Sequence, residues 1–159
     1  MDIYDFYEKT YDEYKKFIKE HSQYDPNVVK YNSNAVSTFP TVVFYMSNNT
    51  NTDNGTVDRI EKYDAIYFTI NIYTKNKISG TNIETASQVI NEELSRLTTQ
   101  FFGNIMGMKK TQDSPEPNLD TSILRKVIQY QGLLGNVRGN IIRRWFSKWL
   151  NLIVLKIEH

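Results

Sequence analysis

The chain has no cysteine and only two histidines, His21 and His159. Disulfides, thiolate metal sites and cysteine nucleophiles are therefore excluded from the start. A Ser-His-Asp triad or a histidine-based metal site would have to be built around His21. That residue falls on the apolar stripe of a predicted helix, where a packed or edge role suits it better than ligation. No apolar run reaches the roughly 18 residues of a membrane span. The opening MDIYDFYEKT is acidic and aromatic, unlike a secretion signal. The expected setting is a cytoplasm, with no membrane contact. No G-x-x-x-x-G-K-[ST], G-x-G-x-x-G, G-x-S-x-G or H-E-x-x-H occurs. Carboxylates such as Asp58, Glu61 and Asp64 beside Lys62 could be imagined as a metal site, but their spacing suits a solvated strand approach better. The expectation is no enzyme, no cofactor and no metal.

What is present is ordinary globular material. The 159 residues are 40% hydrophobic and 23% charged, enough for one domain with a real core. Charge is graded along the chain. Residues 1–25 hold seven acids against four lysines; residues 133–159 hold five cations against one glutamate. That is a gradient and not a nucleic-acid-grade basic protein.

Residues 2–22 read as a helix carrying Ile3, Phe6, Tyr7, Tyr14, Phe17, Ile18 and His21 on one stripe. Residues 26–38 read as loop. A strand is expected over Thr41–Met46, then a polar tip, SNNTNTDNGTVD, whose Asn54-Gly55 pair suits a tight primed turn. The return run from Glu61 to Lys75 exceeds the ~5–6 residues of a typical strand, so it should bend around the core or project. Its stretch AIYFTINIYTKN alternates Ile66, Phe68, Ile70 and Ile72 with Tyr67, Thr69, Asn71 and Tyr73. One face is hydrocarbon; the other is hydroxyl and amide, neither core nor charged surface.

Thr81 and Glu84 stand at capping-box spacing before a second helix, with Ala86, Val89, Ile90, Leu94, Leu97 and Phe101 as its stripe and Gly103 at its end. A short strand, Ile105–Lys110, a loop TQDSPEPNLD and a strand Ser122–Gln131 follow. Gly132, Gly135 and Gly139 read as a flexible joint. The order is α-β-β-α-β-β. The expected fold is α+β: a mostly antiparallel four-stranded sheet covered by helices over residues 1–132. Residues 133–159 are expected to form an apolar helical arm. In that arm Ile142, Trp145, Phe146, Trp149, Leu152 and Ile153 share a stripe, and eleven large apolar residues lie between Ile141 and Ile157. At ~1.5–3 kcal/mol each, their exposure would forfeit on the order of 15–30 kcal/mol. They must pack on their own core or on a neighbour. Arg138, Arg143, Arg144 and Lys148 could touch nucleic acid, but no recognisable nucleic-acid fold surrounds them.

The segments "FPTVVFYMSNN", "YFTINIYTK", "ETASQVINEELSRL", "GMKKT" and "SILRKVIQYQG" together resemble the tail terminator (tail completion) proteins of long-tailed bacteriophages and phage-tail-like particles. The likeness covers roughly residues 1–132 and is one of residue types in order; the arm departs from it. It implies a homohexameric ring at the head-proximal end of the tail. Such a ring stops tube polymerisation, contacts the tail tube protein and the head connector protein, and lets DNA pass through its lumen without sequence recognition. It implies a virion protein assembled in the host cytoplasm. On that reading Asn54, Gly55 and the loop 111–120 reach the tube or connector, while Tyr63, Tyr67 and Tyr73, or Trp145, Phe146 and Trp149, join subunits. The alternatives are another head-tail connector or tail adaptor of the same particle, or a small protein that binds nucleic acid.

Overall fold

The computed structural model of the chain describes residues 3–31, 36–49, 63–75, 83–105 and 107–135. Two helices, α1 (Ile3–His21) and α2 (Ile83–Gly103), lie over a mixed five-stranded sheet. The strands are β1 (Asn27–Lys30), β2 (Thr41–Asn49), β3 (Tyr63–Lys75), β4 (Lys109–Glu116) and β5 (Ile123–Gly135), in the order β1-β2-β3-β5-β4. The class is α+β. Among the described residues no helix is long and apolar enough to cross a membrane.

The expected four-stranded sheet and its α-β-β-α-β-β order need correcting. Asn27–Lys30, read as loop, is a strand that pairs parallel with β2. Four residues are too few for alternation to register in a sequence. What holds β1 is long-range: Val28 is buried, its carbonyl accepts the Tyr11 hydroxyl at 3.0 Å, and Tyr31 N–H donates to the Phe44 carbonyl. The strand expected over Ile105–Lys110 lies later in the chain. It begins at Lys109 and runs to Glu116, through Pro115 and the first part of the segment TQDSPEPNLD that reads as loop. Because β4 is an outer strand, Pro115 can sit in it without breaking a two-sided ladder, and a register shift between Lys110 and Gln112 bends it. Gly132 and Gly135 belong to β5, paired with Ile66 and Tyr63, and are not a joint. Gly139 and the arm from residue 136 onward lie outside the described residues.

The core lies between the sheet and the helices. Ile66, Phe68, Ile70 and Ile72 are fully buried with Val42, Phe44 and Ile128 against Tyr14, Ile18, Leu94, Leu97, Phe101 and Phe102. Phe44 is its centre, with the rings of Tyr7, Tyr11, Tyr14, Phe68 and Phe102 around it at centroid distances of 5.1–6.4 Å. Each such pair adds ~0.5–1.5 kcal/mol beyond simple burial. Tyr11 and Phe102 join the core although neither was on the expected stripes, whereas Val89 points to solvent. His21 is exposed, stacked on Phe17, its Nδ1 2.8 Å from the Phe17 carbonyl.

Candidate functional site

Since residues paired across a sheet share a face, the registers define the side turned away from the helices. On β3 this side carries Tyr67, Thr69, Asn71 and Tyr73, all half-buried. Opposite them on β2 stand Ser47, Tyr45, Val43 and Thr41; on β5 stand Gln131, Gln129, Val127 and Arg125. Of these twelve positions on three strands, only Arg125 is charged. Acids and lysines, the commonest surface residues, are missing from this central patch.

Its polar groups are bonded to one another. Gln131 Nε2 donates to the Tyr67 hydroxyl at 3.3 Å, and Gln129 Nε2 to Thr69 Oγ1 at 3.3 Å. Arg125 donates from Nε and Nη2 to Asn71 Oδ1 at 3.2 and 3.0 Å, with its guanidinium 5.9 Å from the Tyr73 ring centre. β5 thus hands hydrogen bonds to β3 three times along the face. β4 extends the set: Thr111 Oγ1 donates to Gln129, and Gln112 Nε2 lies 3.0 Å from Ser114 Oγ and 2.9 Å from Glu116 Oε1. At the other side, past β2, the Tyr31 and Tyr45 rings meet at 5.1 Å.

Two charged clusters flank the core on the helix side, and both tie elements together. Asp113 takes Lys110 Nζ at 2.7 Å on Oδ2 and Lys126 Nζ at 2.9 Å on Oδ1; Lys110 also donates to Thr99 of α2 at 2.9 Å. Partial burial alone would raise the Asp113 pKa, but the hydrogen bonds and charges of the two lysines outweigh it and hold the carboxyl below its ordinary value. At the β1 edge Lys30 pairs with Glu8, its ammonium over the Tyr11 ring at 4.9 Å and the Tyr7 ring at 5.9 Å. The hydrogen bond from Lys30 to Glu8 raises the lysine pKa. Burial, then the neighbouring Glu8, pushes the Tyr7 phenol up to about 12. Among the described residues no three histidine or carboxylate groups converge as a metal site would require.

Of the residues singled out in the sequence, Tyr67 and Tyr73 stand on the open face, and Tyr63 stands in β3 opposite Gly135. Asn54, Gly55, Arg143, Arg144, Trp145, Phe146 and Trp149 lie outside the described residues. Sequence reading missed Tyr31, Tyr45, Arg125, Gln129 and Gln131. The last three fall on one side of "SILRKVIQYQG", but Val127 interrupts that polar series and Lys126 interrupts the apolar one, so alternation signals them only weakly. The surroundings of Tyr31 depend on β1, which left no such signal. No protein-family model matches the chain, and no curated protein does.

Proposed function

We propose that this chain is a structural subunit of a phage-like tail: a tail terminator that assembles as a ring, caps the tube, stops its polymerisation and joins the tail to the head connector. One observation carries the reading. Among the twelve central positions of the open sheet face Arg125 alone is charged, and the side-chain amides of β5 on it are already hydrogen-bonded. Interface centres are depleted of Lys, Glu and Asp and enriched in Tyr and Arg. A polar group that keeps its partner when water leaves avoids most of the desolvation cost of an unsatisfied one, about 1–3 kcal/mol each. Such a face can be covered by protein at little penalty. A charged face could not.

Three strands at ~4.8 Å spacing and seven residues at ~3.3 Å give a projected patch of roughly 14 by 23 Å. That is on the order of 330 Å² before side-chain relief, the centre of a standard interface of about 800 Å² per partner and not the whole of one. The family resemblance of residues 1–132 supplies the ring, the tube and connector contacts, and DNA passing through the lumen unread. The hexamer number and the virion setting belong to the same proposal.

The test is the mass of the purified chain, alone and mixed with tube protein, by sedimentation or native mass spectrometry. A ring, or a subunit that forms one at tube ends and blocks further growth, is expected. A strict monomer indifferent to tube protein would overturn the reading. Binding only to portal-side proteins would move the chain to the connector role.

A further inference from the structure

We draw no further inference here: the strongest candidate, the pair of outer sheet edges formed by β2 beyond Phe44 and β5 beyond Gln131, which run past β1 and β4 and pair with no further strand among the described residues, carries nothing because nothing in the structure shows what covers it.

Discussion

Arg125 and Asn71 are locked across the open face of the sheet by two hydrogen bonds to a single oxygen, Oδ1, at 3.2 and 3.0 Å. Register sets Arg125 opposite Tyr73, so the fork reaches diagonally to Asn71 while its plane lies near the Tyr73 ring. The one charge among the twelve central positions of this face is thereby spread over an amide and an aromatic face instead of being left to water. Thr69 is the next position along β3 on this side, and it accepts only the weak 3.3 Å bond from Gln129. Thr69→Lys places a second, unpaired cation there. Its fold stability should stay within about 0.5 kcal/mol of the parent, as for other surface changes. Its assembly should drop to monomer in sedimentation, because an ammonium buried without a partner is costly. Unchanged assembly would mean the open face is not the contact.

A different hydrogen bond should govern stability. Tyr14 is wholly buried and its hydroxyl lies 2.8 Å from Thr98 Oγ1. Thr98 spends its own hydrogen on the Leu94 carbonyl at 2.7 Å, so Tyr14 is the donor. Burial raises the Tyr14 pKa, with the bond to Thr98 acting the other way, and the phenol stays protonated. Tyr14→Phe removes the donor and leaves Thr98 bonded to its helix, at a cost of about 1 kcal/mol. Thr98→Val strands the Tyr14 hydroxyl in the core and should cost more, about 2 kcal/mol. Urea melts of the two variants give the order; the reverse order would refute the donor assignment.

What a sequence reveals depends on how local its cause is. β3 is legible because residues 66–73 alternate and Ile66, Phe68, Ile70 and Ile72 are all buried; α1 and α2 are legible because their stripes repeat over 19 and 21 residues. β1 is illegible because four residues carry no period and its support, Tyr11 and Phe44, lies elsewhere in the chain. β4 was misread because Pro115 and its acids resemble loop chemistry. On an outer strand a proline, a bulge and the inward pair of Lys110 and Asp113 are devices that discourage edge pairing. For the open face, Tyr67 and Tyr73 could be read from alternation in one strand, but Tyr45, Gln129 and Arg125 needed the registers of two more.

The Asp113 cluster predicts an acid-side effect with a definite sign. Its folded pKa lies below the ordinary carboxylate value near ~3.9. The ionised form is thus the one the fold favours, and its contribution is complete above that value and fades as pH falls through the folded pKa. The pair of lysines is partly solvated, with side-chain exposures of 31% and 25%, so the gain at neutral pH is about 1 kcal/mol or less. Asp113→Asn should be less stable than the parent by that amount at pH 7. The gap between the two should close as pH drops below about 4. Chemical denaturation at pH 7, 5 and 3 measures it, and a gap that widens toward acid would contradict the assignment.

Gly132 and Met108 supply a packing test at the rim of the core. A β-carbon added to Gly132 would lie 2.7 Å from Met108 Sδ and 2.9 Å from Cε, both far closer than contact distance. Gly132 is buried opposite Ile66 on the helix side of β5, so the added methyl has no route to solvent. The obstacle is the end of a flexible thioether chain and not backbone, which sets the penalty for Gly132→Ala at the low end of overpacking, about 1 kcal/mol. Met108→Ala opens space at the same point and should cost about 1–2 kcal/mol by itself, since Met108 is only partly buried. Combined, the two changes share one volume. The double variant should therefore be at least about 0.5 kcal/mol more stable than the sum of the single losses predicts. Thermal or urea melts of the four proteins complete the cycle, and strict additivity would show that Met108 is not what resists a side chain at position 132.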